Sequence, residues 1–270
     1  MEINLVGGGR RVSFIEKLID AGFEVTCFEK DLDCAAKKVC SIKYEHESYT
    51  SKILPMMDKL TVELADHPVF IGHKKQCAEI CYDKKKLENW CLTNIPEFYP
   101  EFKTFNINYV SKPRHGNSSE GIQYHKAFTH AFIDDKHIFQ QQVIGTEYSV
   151  DAYWNLDSEC VGCVPRIRER VAGGEVVDSI TVRNQDLIKH TTNIGNMLQM
   201  TGPACFQWIV DKETQHPFLI EINARFGGGN ILSQHAGLNM IEYMKLDWYS
   251  NIRSLPINYD SIKWGLKMRR

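Results

Sequence analysis

The 270-residue chain lacks a charge excess of either sign. Thirty-two Lys and Arg stand against 34 Asp and Glu, a formal charge of −2, so no net basic field draws it to nucleic acid or to an anionic membrane. Any polyanion it holds must be held by local groups. Long apolar runs are missing as well: the opening MEINLVGGGR is too short for a secretory leader, and no stretch offers the roughly 18 uncharged apolar residues of a membrane span. Internal repeats and low-complexity linkers are absent, and 43% hydrophobic with 24% charged residues excludes disordered, collagen-like and coiled-coil classes. A soluble cytoplasmic protein of one large or two small domains is expected.

An even cysteine framework is also lacking. The nine cysteines are scattered from Cys27 to Cys205, and the one C-x-x-C, Cys160 to Cys163, has no second pair at zinc-ribbon spacing and lies in the strand-like run ECVGCVP. Reduced thiols are expected, with no zinc.

What is present starts as strand, glycine turn, helix and strand. EINLVGGGRR leads into VSFIEKLIDAG, where Val12, Ile15, Leu18 and Ile19 share a helical face and Gly22 is a candidate C-cap; FEVTCF follows. The glycines at 7–9 lack the G-x-G-x-x-G spacing of a dinucleotide fingerprint, because Arg10, Arg11 and Val12 take the later positions, and a tight turn explains them. A short helix broken by Pro55 is expected over 48–60, a buried strand over 67–73, and a helix over 77–92 anchored by Ile80, Leu87 and Trp90. From Phe105 to Val143 the pattern becomes a small antiparallel unit. Further strands carry EYSVDAYW and ECVGCVPRI, with a glycine turn at Gly173 and Gly174. They are followed by a helix near 185–199, the strands ACFQWIV and PFLIEI, and a helix near 231–246. The fold class is α/β (α+β), a small α/β unit before a larger α+β body.

Three segments carry chemistry. In Phe218 to Gly229, strand alternation sets Glu221, Asn223 and Arg225 on one face and Ile220, Ile222 and Ala224 on the other. Oxygen donors in this pattern suit Mg²⁺ with substrate phosphates, and an arginine beside them suits a transferring phosphoryl group; a solvated polar face is the alternative. In the second segment, VSKPRHGNSSEG, Lys112 ends a strand before a loop of small residues whose N–H groups can approach phosphate oxygens, without the Walker spacing. The third segment is QQQVIGTEYSVD, residues 140–151.

In this order and at these separations the three segments resemble the ATP-grasp superfamily, in particular the group similar to carbamoyl phosphate synthase large-chain domains and PylC-like ligases. The resemblance spans nearly the whole chain. EINARFGGG with the following LSQHAGLN is its strongest part, supported by Gln207; CYDKKKLENW and KPRHGNSSEG are less specific. It implies an ATP-grasp fold with a shortened Rossmann-like N-terminal domain over residues 1–75 and the ATP-grasp domain over 76–270, with a lid at about 105–143. Between Cys40 and Asp66 the chain is one strand-helix unit shorter than such relatives.

The resemblance also implies roles. Lys84 and Lys112 match positions on ATP phosphates, and the loop from His115 to Gly121, with Gly116, Ser118 and Ser119, matches the lid over them. Gln141, Gln142 and Val143 fall at the adenine-facing hinge, and Glu147 at a ribose contact. Gln207 and Glu221 match a metal-binding pair, with Asn223 a further metal or phosphate contact, and Arg225 matches the group that stabilises an acyl-phosphate transition state. Many relatives have a carboxylate where this chain has Gln207, which would weaken one Mg²⁺ site, although glutamine is also an accepted variant in the carbamoyl phosphate synthase group and does not exclude activity.

The implied activity is an ATP- and Mg²⁺-dependent ligase, with Mn²⁺ as an alternative ion. A carboxylate attacks the γ-phosphate, and an amine or similar nucleophile displaces the acyl-phosphate. Non-catalytic ATP binding and phosphotransfer on the same fold are the alternatives. The expected partners are a small carboxylate and a small amine, with a homodimer as the base-rate assembly. Arg166, Arg168 and Arg170 alternate on one strand face, either toward the substrate or phosphates or in a salt-bridge ladder with Glu169 and Glu175. Gly227 to Gly229 and the helix start near Ser233 offer N–H groups to an anion or form a packing turn.

Overall fold

The computed structural model describes residues 1–44, 48–116, 120–129, 134–172 and 175–269. The expected glycine turn at 173–174 and the side chain of Glu175 lie outside them.

The chain opens with β1 (Glu2–Val6), α1 (Val12–Asp20), β2 (Glu24–Glu29), β3 (Ser41–Tyr44), β4 (Lys52–Pro55) and α2 (Asp58–Leu64). These strands form a parallel sheet in the order β3-β2-β1-β4. Helix α1 buries Phe14, Ile15 and Leu18 and leaves Ile19 exposed, so the apolar stripe lies one residue away from the expected face. Gly22, just past its end, has φ +87°, the left-handed conformation that closes a helix.

The region from 48 to 73 departs from expectation. Residues 52–55 pair with β1 as strand β4, and the helix begins only at Asp58. Lys-Ile-Leu-Pro is a short parallel strand with Ile53, Leu54 and Pro55 buried, and such strands show no alternation to distinguish them from a buried helix. The expected strand at 67–73 reduces to a single bridge between Phe70 and Ile53.

The expected helix at 77–92 is two helices, α3 (Lys75–Tyr82) and α4 (Lys84–Asn94). Asp83 stands between them in an extended conformation, and its carboxylate accepts from the N–H groups of Lys85 and Lys86. Next come β5 (Tyr109–Pro113), β6 (Gln123–His125) and β7 (His137–Gln141), a three-stranded antiparallel sheet in the order β6-β5-β7. Then follow β8 (Gly145–Trp154), β9 (Cys160–Ala172), β10 (Glu175–Thr181), α5 (Gln185–Met197), β11 (Gly202–Asp211) and β12 (Pro217–Asn223). The expected last helix divides into α6 (Asn230–Ala236) and α7 (Met240–Trp248) at Gly237, φ +119°, and β13 (Lys267–Arg269) ends the described chain. The largest sheet runs β12-β11-β8-β9-β10-β13, all antiparallel.

Pleat alternation divides that sheet. Val150, Ala152, Trp154, Ala204, Phe206, Trp208 and Ile222 point into a core shared with α3, α4 and α5. On the other side, Tyr153, Val161 and Val164 pack with Phe226 and Met244 against Leu5, Ile15 and Leu18 of the first unit. One apolar cluster therefore crosses from the parallel sheet to the large one. His73 joins the same two parts: Nε2–H donates to the Pro203 carbonyl at 2.7 Å, and Nδ1 accepts from the Thr201 N–H at 3.1 Å. Burial lowers its pKa to about 4, so it stays neutral in the tautomer both bonds require.

Gly195 on α5 touches the Trp154 indole, and a Cβ there would lie 1.9 Å from Cζ2. Gly195→Ala is expected to lose about 1–3 kcal/mol of stability by overpacking, measured by urea unfolding. A loss under about 0.5 kcal/mol would show that the indole yields.

All nine cysteines are free thiols. Cys160 and Cys163 sit with their sulfurs 3.5 Å apart beside the Thr192 hydroxyl. Among the described residues no helix is long and apolar enough to cross a membrane.

Candidate active site

A cleft of about 1580 Å³ opens between the three sheets. Its floor is the polar face of the large sheet, where register sets Ser149 opposite Gln207 and Gln207 opposite Glu221. A β-bulge interrupts pairing just after Gln207, so Trp208 meets Leu219 instead of Ile220. Leu219 fills the core, whereas Ile220 lines the cleft beside Glu221, which corrects the expected opposite-face placement. Ile222 and Ala224 are buried as expected.

The cleft gathers most of the residues singled out from the sequence. Lys84, Lys112, Gly116, Gln141, Gln142, Val143, Glu147, Gln207, Glu221, Asn223 and Arg225 all border it. His115 and Gly121 do not line it. Instead, His115 packs on Tyr82 with Nε2 3.7 Å from the Asp83 carboxylate, and Gly121, φ +73°, closes on Pro113. Ser118 and Ser119 lie outside the described residues.

The two lysines are held from below. Lys84, first in α4, donates from Nζ to the Gly116 carbonyl at 3.0 Å, so helix and loop are tied at the cleft edge. Asp83 grips Arg114 through two 2.7 Å bonds and fixes the loop's other end. Burial opposes ionisation of Asp83, but Arg114 and the helix N–H donors outweigh it and hold the carboxyl below its ordinary range. Lys112 is buried on β5, and its pKa falls to about 8. Desolvation is the main cause, resisted by the Glu221 carboxylate, deepened by the Lys84 ammonium and resisted again by Glu147. An anionic ligand in the cleft would raise its pKa again.

At the hinge, Gln141 and Gln142 donate their N–H groups to the Pro100 and Asn108 carbonyls. The main-chain groups of Val143 pair with no described residue, and Val143 lines the cleft. That is the form a main-chain contact to a planar heterocycle requires.

All three side-chain nitrogens of Arg225 donate. Nε and Nη2 donate to Asp58 Oδ2 at 2.9 and 2.7 Å, Nη2 also to Asn223 Oδ1 at 3.0 Å, and Nη1 to the Phe226 carbonyl at 3.0 Å. Burial disfavours its charge, but Asp58 more than restores it and the pKa lies above the ordinary arginine value. The sequence gives no sign of Asp58, which opens α2 and is 167 positions away; only its place in the first turn of a helix behind a strand could have drawn attention.

The arginines of β9 have separate fates. Arg166 is fully buried, with Nε donating to Asp151 Oδ2 at 2.6 Å, an oxygen that also accepts from the Ser233 hydroxyl at 2.6 Å. A Cβ at Gly229 would lie 2.6 Å from its Nη1, so the glycine turn packs directly on this pair. Arg168 reaches Gln207 and Glu147, and Arg170 pairs with Asp178 outside the cleft. The ladder partners differ from those expected, since Glu169 faces Lys267 at 3.8 Å. Near the first glycine turn the Gly9 N–H donates to the Glu29 carboxylate, and Arg11 donates to the Gly227 carbonyl at 3.0 Å.

The donor set on the floor fits one divalent ion better than two. The Glu221 carboxylate makes no hydrogen bond or salt bridge to any described residue, and Asn223 Oδ1, which accepts from Arg225, keeps a lone pair. One carboxylate and one carboxamide fit Mg²⁺ when phosphate oxygens and water complete the octahedron. Gln207 fits less well, because its oxygen already accepts from Arg168. Among the described residues no group of three or more His, Cys, Asp or Glu could form an all-protein metal cage.

Comparison with known proteins agrees with this geometry. A family model described as ATP-grasp in the biosynthetic pathway with Ter operon matches residues 135–251. No curated protein matches the sequence. N5-carboxyaminoimidazole ribonucleotide synthetase from Thermotoga maritima is similar in structure, at 16% identity and TM-score 0.65, over 95% of this chain and 77% of that one. Biotin carboxylase from Campylobacter jejuni, in a β,γ-ATP complex, matches at 15% identity and TM-score 0.71, over 98% and 74%. The biotin carboxylase domain of 2-oxoglutarate carboxylase from Hydrogenobacter thermophilus, bound to MgADP, ADP and bicarbonate, matches at 11% identity and TM-score 0.69, over 98% and 73%. A small parallel sheet, a three-stranded sheet and a six-stranded antiparallel sheet around one polar cleft are thus the ATP-grasp fold.

Proposed function

We propose that the protein is an ATP- and Mg²⁺-dependent ligase that activates a carboxylate as an acyl-phosphate and couples it to an amine or similar nucleophile, releasing ADP and phosphate. The observation that carries this reading is the meeting of Lys84, Lys112, Glu221 and Asn223, from three separate elements, on one cleft. The MgADP and β,γ-ATP complexes of the similar structures support the choice of nucleotide.

In such a reaction the protein's share is positioning and charge neutralisation. Lys84 and Lys112 set cations toward the phosphates, and the Gln141 to Val143 hinge offers main-chain groups to the base. Glu221 with Asn223 would hold the ion, which draws electron density from the transferring phosphoryl group. Arg225, once released from Asp58, would grip the carboxylate or phosphoryl oxygens.

A second reading, nucleotide binding without catalysis, is favoured by one observation, the full commitment of Arg225 to Asp58, Asn223 and Phe226. The test is ADP and phosphate release with ATP and Mg²⁺ across pooled small carboxylates and amines, for the wild type, Glu221→Ala and Arg225→Ala. Release that requires a particular pair and disappears in both variants is expected. ATP binding without turnover in any pool would favour the second reading.

A further inference from the structure

Register sets Gln207 opposite Glu221, so two oxygen-bearing side chains stand side by side on the cleft floor. Their surroundings differ. The Glu221 carboxylate has no hydrogen bond or salt bridge to a described residue, whereas Gln207 Oε1 accepts from Arg168 Nη1 at 3.1 Å. A guanidinium carries only donors, so the atom that Gln207 turns toward it must be the oxygen; a flipped carboxamide would set donor against donor. The same Nη1 lies 3.4 Å from Glu147 Oε2, and the Arg168 side chain is only 8% exposed. A permanent positive charge is therefore fixed across β8 at the one atom of Gln207 that could ligate a metal. Gln207 brings no negative charge to offset the repulsion between that guanidinium and a dication.

We infer that the nucleotide site takes a single divalent cation, at Glu221 with Asn223, and that Arg168, held on Gln207, supplies the positive charge a second ion would bring. The inference rests on the proposed ATP-binding reading. It makes Arg168 a fixed cation for the polyphosphate on the cleft floor. The Glu147 carboxylate helps to hold the guanidinium in place.

The test counts ions instead of turnovers. Free Mn²⁺ is followed by electron paramagnetic resonance as it is titrated into full-length protein saturated with β,γ-methylene-ATP, and nucleotide binding is measured separately by calorimetry. One protein-bound Mn²⁺ per nucleotide is expected for the wild type, and two for the double variant Arg168→Ala with Gln207→Glu. Two ions in the wild type would overturn the inference. A double variant that folds, binds the analogue and still takes one ion would overturn the role given to Arg168. Absence of nucleotide binding in calorimetry would instead refute the ATP-binding reading, and the inference with it.

Discussion

Replacing Asp58 by alanine is expected to lower the melting temperature by about 6–12 °C. The Asp58 and Arg225 side chains are 9% and 12% exposed, and their contact joins α2 to the segment after β12. Removing one partner of a buried pair leaves the other charge desolvated, at a cost of about 3 kcal/mol. For a chain of this size that converts at roughly 2–4 °C per kcal/mol. Arg225→Ala should cost a similar amount, because it strands Asp58. The double variant Asp58→Asn with Arg225→Met should recover most of the loss, since neither charge remains. Thermal unfolding of the four proteins checks this; a loss under about 2 °C in both single variants would show that the pair is solvated.

Lys112→Met should act in opposite directions on two measurements. In the free protein it is stabilising, because a buried ammonium whose pKa has fallen to about 8 from an ordinary 10.5 costs free energy whenever it is charged. The ceiling is about 3 kcal/mol at pH 7. The sign follows from proton counting: between pH 8 and 10.5 the unfolded chain binds more protons at this group than the folded one, so stability rises with pH there. Below pH 8 the penalty is present in full. The methionine variant should therefore be more stable than the wild type at pH 7, and the gap should close by pH 10.5. Nucleotide affinity should fall about a hundredfold, the loss of one charge-assisted phosphate contact. Urea unfolding at several pH values and calorimetry with ADP and Mg²⁺ test both halves. A variant less stable than the wild type at pH 7 would mean that Glu221 and Glu147 more than offset the burial.

Residues that act through their own strand were legible in the sequence. Glu221 and Asn223 share a face because strand β12 alternates, Arg225 follows in the segment just after that strand, and Lys112 lies near the end of a strand because the small-residue loop must begin somewhere. What stayed hidden depends on register or on distant pairing. The bulge that turns Ile220 into the cleft is a property of two strands together and leaves no mark on either one. Strand β4 was hidden because a short run buried on both faces has no period, and Pro55 suggested a broken helix. Asp58 could not be read at all, since its role exists only where α2 meets Arg225. Arg168 stood out by alternation, but its partner Gln207 lies on a strand that is not its neighbour, across β8. The sequence divides α3 from α4 only by Asp83, whose capping role is clear once the helix break is known.

The Asp58 to Arg225 contact has a thermodynamic consequence beyond stability. It is a shared bond between two halves of one cleft, one bounded by the ends of the parallel strands and α2, the other by the floor that carries Glu221 and Asn223. A ligand that draws Arg225 toward itself must loosen Asp58, and with it the first turn of α2 next to Met56 and Met57, which line the cleft. Linkage makes that effect symmetrical: whatever factor an anion on the floor applies to the affinity of a molecule seated against α2, that molecule applies in return. A single ion pair thus makes the two halves report on each other's occupancy, and order of addition cannot change the final coupling.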